Sequence, residues 1–209
     1  DFTQGSVLSQ LIRISTPLTL ALLVNVLYSV VDRMYIGHIP YTGRIALTGI
    51  GLAFPITVMV SAFQNLCSTG GAPLFSIARG KGNEREAELI LGNAYAMLLI
   101  FGVLLTFLGY LLKEKVLWLT GASGATFDYA NDYLDIYLLG SVFVLTSLGM
   151  NPFISSQGYA AISMCTVSIG AIINIILDPI FIFVFHMGVR GAALATIIAQ
   201  FCSALWVLL

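Results

Sequence analysis

Residues 162–185 read ISMCTVSIGAIINIILDPIFIFVF, an apolar run broken near its end by a carboxylate, Asp178. A helix needs about 20 mostly apolar residues to cross a bilayer, and this stretch is long enough. A second run, residues 18–36, reads LTLALLVNVLYSVVDRMYI and carries Asp32. A charged side chain at such depth costs roughly 2.5–3.5 kcal/mol on insertion scales, so it faces a protein interior or a wet cavity. Two such acids point to an ion or proton pathway.

Working outward, the composition agrees with a membrane protein. The chain is 58% hydrophobic and 9% charged, against about 25% charged in an ordinary soluble domain. Its formal net charge of -1 argues against a nucleic-acid partner, which needs a basic footprint. Cys67, Cys165 and Cys202 lie in apolar runs without a CxxC or Cys/His cluster, and read as small buried hydrophobes. The polar opening Asp1–Gln10 reads as a short linker rather than a cleavable signal. Residues 201–209 stop inside an apolar run, from which a fragment of a longer membrane protein is expected.

The fold class predicted is all-α and polytopic, with six spans at about 12–37, 45–78, 87–111, 126–150, 160–186 and 190–209. Pro40 and Gly43 mark the first turn, and residues 79–85 (RGKGNER) a second, charged one. Lys113–Gly124 is expected to form a short interfacial helix anchored by Trp118. Asn151–Tyr159, with Pro152 and Gly158, is expected to be a loop, and His186–Arg190 a tight hairpin. Arg79, Lys81 and Arg85 favour a cytoplasmic second-to-third loop and amino terminus, although Arg44, Lys113, Lys115 and Arg190 on the other side nearly cancel that bias.

Counting about 1.5 Å per residue from the shared face puts Asp32, Asp178, Thr196 and Tyr133 all roughly 8–12 Å below one surface. Asn174 precedes Asp178 by four residues, so both project from one helix face. Pro179 lacks an N–H and so frees the Ile175 carbonyl beside them. Carboxylate, amide, hydroxyl and phenol at one level suit Na+ or a proton shared between the acids. The plainer reading pairs Asp32 with Arg33, but adjacent helical residues point about 100° apart. Thr196 and Tyr133 could equally be polar glue between helices.

Asn25, Gln64 and Asn65 are candidates to line a substrate cavity, or to bond across helices. Gly80-Lys-Gly-Asn has a phosphate-loop flavour without the Walker spacing, and reads as a surface turn. Of Asp128, Asp132 and Asp135, the first two read as solvated. His38 and His186 fall at helix ends, and no Ser/His/Asp or Cys/His set suggests catalysis.

At Pro17, at Val31-Asp32-Arg-Met-Tyr-Ile-Gly37, at Gly80-Lys-Gly-Asn, at Ile173-Asn174 through Asp178-Pro179, and at Gly188-Val-Arg-Gly191 through Thr196, the chain resembles the multidrug and toxic compound extrusion (MATE) family. The resemblance runs over essentially the whole chain. It implies the amino-terminal six-helix lobe of a twelve-helix, two-lobe secondary transporter, with residues 1–209 as that lobe and the second lobe absent. It implies a multi-pass plasma-membrane protein that exchanges Na+ or H+ for small organic, often cationic, compounds by alternating access. No other cofactor is implied. The family's cation site maps onto Asp32, Asn174, Asp178 and Thr196, with Tyr133 nearby, and these four would hold Na+ if Na+ is the coupling ion. Pro17 maps onto the family's bending first helix. One departure is Ser155-Ser-Gln-Gly158, where family members often carry an Arg.

Competing expectations are a lipid-linked saccharide flippase of the same superfamily, an intramembrane enzyme using Asp32 and Asp178 as a carboxylate dyad, and a structural membrane subunit. A flippase would favour internal Lys or Arg, which the spans almost lack. A protease-type dyad has no need of Asn174 or Thr196.

Overall fold

The computed structural model describes residues 7–209, which leaves the first six residues of the Asp1–Gln10 linker outside. The described residues are helical throughout, with no strand: α1 (Val7–Gly37), α2 (Gly43–Gly80), α3 (Glu84–Leu119), α4 (Gly124–Leu139), α5 (Ser141–Ser156), α6 (Ala160–Pro179), a π-helical segment (Ile180–Val184) and α7 (Val189–Leu208). Five helices are long and apolar enough to cross a membrane, and α4 with α5 makes a sixth, broken span. A helix satisfies its own backbone, which is why this composition can fold only this way in lipid.

Four features differ from the sequence reading. Helix α1 begins at Val7, so the end of the polar opening is helical. Helix α3 runs to Leu119 without an interfacial helix, because Lys113 is buried and paired with Asp135 and so does not stop the span. Trp118, at its end, stacks on Phe127 with ring centroids 5.1 Å apart. Helix α5 continues through Pro152 to Ser156. The fourth span, expected to be one helix, bends by 60° at Gly140. A Cβ at Gly140 would lie 2.2 Å from Ile197 Cδ1, so α7 packs directly into the break. The Leu138 carbonyl beside the break accepts from the Thr106 hydroxyl at 2.8 Å, and the Ser141 hydroxyl just after it ties α5 to α3 by donating to Gly102 O at 3.2 Å.

The charged turn after α2 is a helix boundary. Asn83 caps α3 by accepting from the Glu86 N–H at 3.2 Å, and its amide donates to Glu86 Oε2 at 2.8 Å. Gly82 takes φ +74°, which a side chain would resist. Arg79 donates to Gln157 Oε1 at 2.9 Å, so the Arg-less turn at residues 155–158 is met by an arginine from α2.

Helix α1 packs mainly on α6 and leaves Leu22, Val26, Leu27 and Val30 exposed. Helix α7 is inserted between α4, α5 and α6. Its buried face is mostly small, with Gly191, Ala192, Ala193, Ala195, Ala199, Ser203 and Ala204 beside Val189 and Gln200. Small residues let helix backbones approach, which replaces the hydrophobic effect as the source of association in lipid. The tightest approach bearing on the site is at Gly170, where a Cβ would lie 2.7 Å from Ser203 Oγ. Among the cysteines, Cys67 is buried as expected, Cys202 is half-buried, and Cys165 is exposed on the bundle surface.

Candidate cation site

The α6 face carrying Asn174 and Asp178 turns inward, with the two side chains 1% and 0% exposed. Four-residue spacing sets the amide one turn before the carboxylate, and Asn174 Nδ2 donates to Asp178 Oδ1 at 3.2 Å. The same nitrogen donates to Thr196 Oγ1 of α7 at 3.3 Å. Both amide hydrogens are thereby committed, which fixes the flip of the side chain and turns Oδ1 the other way. Pro179 follows, and the helix relaxes into the π-helical segment, where Phe185 N bonds Ile180 O at 2.9 Å.

From α1, Asp32 brings its carboxylate within hydrogen-bonding reach of Asp178. Arg33 is exposed, and the two ion pairs among the described residues are Lys113–Asp135 and Arg190–Asp132, so Asp32 is not neutralised by its neighbour. From α4, Tyr133 is buried, its ring stacked on Tyr137 at 5.8 Å, close enough to feel both carboxylate charges. The structure thus places near one another the four residues that the depth count grouped and Asn174, which four-residue spacing added. It adds Tyr28, one turn before Asp32, and Tyr137, one turn after Tyr133, which share that environment. Their four-residue spacing from site residues was the available signal.

Three buried oxygens in this pocket have no hydrogen-bond partner among the described residues: Asp32 Oδ1, Asn174 Oδ1 and Asp178 Oδ2. An orphaned buried acceptor costs about 1–3 kcal/mol, and more when charged. Adjacent carboxylates add mutual repulsion. A cation or a proton removes both penalties, and an all-oxygen donor set suits a hard cation. The residues present therefore fit Na+ or H+.

The substrate-cavity candidates divide. Asn25 lines a small space one to two turns deeper than the carboxylates, with Tyr28, Thr166, Gln200 and Ser203. Its water-accessible volume is about 10 Å³, the size of one water. Gln64 does not reach it: the amide donates to Ser68 Oγ at 3.2 Å and Leu148 O at 3.4 Å, so it bonds across helices. Asn65 is exposed on α2 and lines neither. Pro17 lies inside a continuous α1. Asp132, expected to be solvated, pairs with Arg190 at 2.7 Å.

The MatE family model matches residues 17–180, a stretch that holds Pro17, Asp32, Tyr133, Asn174 and Asp178. The chain belongs to the MATE family. Over 205 residues it is 29% identical to the multidrug export protein MepA of Staphylococcus haemolyticus, covering 98% of this chain and 45% of that protein. The probable multidrug resistance protein YpnP of Bacillus subtilis is 29% identical over 202 residues, 96% of this chain and 44% of that one. A crystal structure of a MATE protein in the bent conformation is similar with TM-score 0.88 and 25% identity, over 97% of this chain and 45% of its own. This MATE chain thus spans a little under half the length of its relatives, the extent of one lobe. MATE proteins are multi-pass membrane transporters, not enzymes, which sets aside the carboxylate-dyad enzyme.

Proposed function

We propose that the chain is the amino-terminal lobe of a secondary multidrug exporter. It exchanges Na+ or H+ for small organic, often cationic, compounds by alternating access in the plasma membrane. The observation that carries this reading is the trio of unpartnered oxygens on Asp32, Asn174 and Asp178, an oxygen cage lacking one positive charge. Multidrug export by the relatives supplies the cargo class. A flippase would favour a basic interior. The buried lysine here, Lys113, is neutralised by Asp135, which favours the drug exporter.

Binding the ion relieves repulsion between Asp32 and Asp178 and closes α1 onto α6 and α7. Its release leaves the acids repelling. A ligand shifts a conformational equilibrium only through such differential affinity, with about 1.4 kcal/mol per tenfold shift. The second lobe of the same polypeptide would complete the drug cavity against the exposed face of α1.

The test is export of a cationic dye from proteoliposomes under imposed Na+ or H+ gradients. Full-length transporter is expected to respond to at least one gradient, and residues 1–209 alone to neither. Export by the isolated lobe at the full-length rate would refute the half-transporter reading.

A further inference from the structure

Helix α4 spans 16 residues and breaks at Gly140, so its rotation about its own axis is set by its neighbours α2, α3 and α7. Yet it must hold Tyr133 against the carboxylates. Two ion pairs flank that tyrosine in sequence. A residue two positions later lies about 200° around a helix, so Asp135 faces away from the site, towards α3. There Lys113 Nζ pairs with Asp135 Oδ1 and lies 5.1 Å from the Tyr110 ring centroid. Asn131 Nδ2 donates to Asp135 Oδ2 at 3.2 Å, and the Tyr110 hydroxyl donates to the Asp135 main-chain oxygen. Asp132, about 100° from Tyr133, is held by Arg190 of α7, six residues before Thr196.

We infer that Lys113 is a positioning residue for the cation site, setting the rotation of α4 through Asp135 and thereby holding Tyr133 against Asp32 and Asp178. The inference rests on the cation-site reading above. Adhesion of α3 to α4 does not require the pair. Gly109 already packs so closely on Leu138 that a Cβ would lie 2.5 Å from its Cδ2, and Thr106 donates to Leu138 O at 2.8 Å. Packed apolar contacts of this kind tolerate small rotations, whereas a buried charge pair selects one register. Lys113 is 7% exposed and the Asp135 side chain 35%, so water screens that preference only in part.

The experiment uses the full-length transporter in proteoliposomes, with Na+ titrated at fixed pH and H+ at fixed Na+. Lys113→Gln is expected to raise the half-saturating concentration of the driving ion about tenfold, with that of the dye unchanged. Lys113→Arg, and the swapped pair Lys113→Asp with Asp135→Lys, should return it to within about threefold of wild type. In a Tyr133→Phe background, Lys113→Gln should add less than about twofold, because both changes act through one contact. Should Lys113→Gln fail to fold, Lys113→Met with Asp135→Leu removes both charges and carries the same expectations. Effects of Lys113 and Tyr133 that multiply as independent sites would overturn the inference. So would unaltered ion dependence in the variant that replaces both charges. If Asp32→Asn and Asp178→Asn leave ion dependence intact, the cation-site reading has failed. If they abolish it while Lys113 and Tyr133 act independently, only the positioning role has.

Discussion

At the seam between α3 and α4, Asp135 meets a cation that the chain itself supplies, Lys113, and its second oxygen takes the Asn131 amide. In the pocket between α1, α6 and α7, Asp32 and Asp178 have only each other, Asn174 and two nearby tyrosines, and each keeps a buried oxygen unpartnered. Both regions lie towards the same end of the bundle and both hold carboxylates that are at least half-buried. At the seam the carboxylate charge is answered within the protein, although Asn131 Oδ1 there is also a buried oxygen without a partner among the described residues, and the charge pair can serve as a fixed frame. The pocket is complete only when a positive charge arrives from outside, which makes its state depend on an ion gradient. Burial of an acid is therefore not the functional signal; burial without a protein cation is.

The largest expected effect breaks the pocket side of that comparison. Asp32→Asn and Asp178→Asn each remove one charge at constant shape. Each should cut gradient-driven export about 100-fold, equivalent to about 2.7 kcal/mol, while folding and dye binding persist. Efflux under imposed gradients reads this directly, and wild-type gradient dependence in both variants would show that these acids do not couple the ion.

Breaking the seam should instead cost stability. Lys113→Met leaves Asp135 without its cation. The expected loss is about 3 kcal/mol, the lower end for a buried pair, because the Asp135 side chain is 35% exposed. Adding Asp135→Leu should recover most of it. Denaturant unfolding of the detergent-solubilised transporter measures both, and a neutral Lys113→Met would mean that the pair is not a frame.

Smaller changes sharpen the pocket. Asn174→Ala deletes one unpartnered oxygen and the donor that ties Asp178 to Thr196, and should weaken ion binding about tenfold. Thr196→Ala deletes a single partly buried hydroxyl and should weaken it about threefold. Equal effects from the two, read by calorimetric titration of the driving ion, would argue that the amide oxygen does not face the ion.

Much of this was legible residue by residue. Asp32 and Asp178 stand out because hydrocarbon makes carboxylates expensive, and four-residue spacing alone pairs Asn174 with Asp178. Depth counting grouped Tyr133 and Thr196 with the acids because antiparallel spans share a membrane face, and the structure sets both near them. Lys113 was misread as the start of an interfacial segment because its partner, Asp135, lies on another helix. Gln64 was ambiguous for the same reason: its acceptor at Leu148 is 84 residues away.

By itself, the sequence determined that the chain is helical and crosses a membrane, that two acids lie within the spans, and which neighbours share their helix faces. Those properties follow from local periodicity and from the cost of burying charge, which need no knowledge of partners. Only the tertiary structure decided which charges are answered and which are not: Asp135 by Lys113, Asp132 by Arg190, Asp32 and Asp178 by no side-chain cation among the described residues. The bend at Gly140 likewise required Ile197 from α7 and the hydroxyls of Thr106 and Ser141 to be in place. Pairing between helices depends on which small residues permit close approach and on rotation about each axis, and neither is written in the hydropathy of a single span.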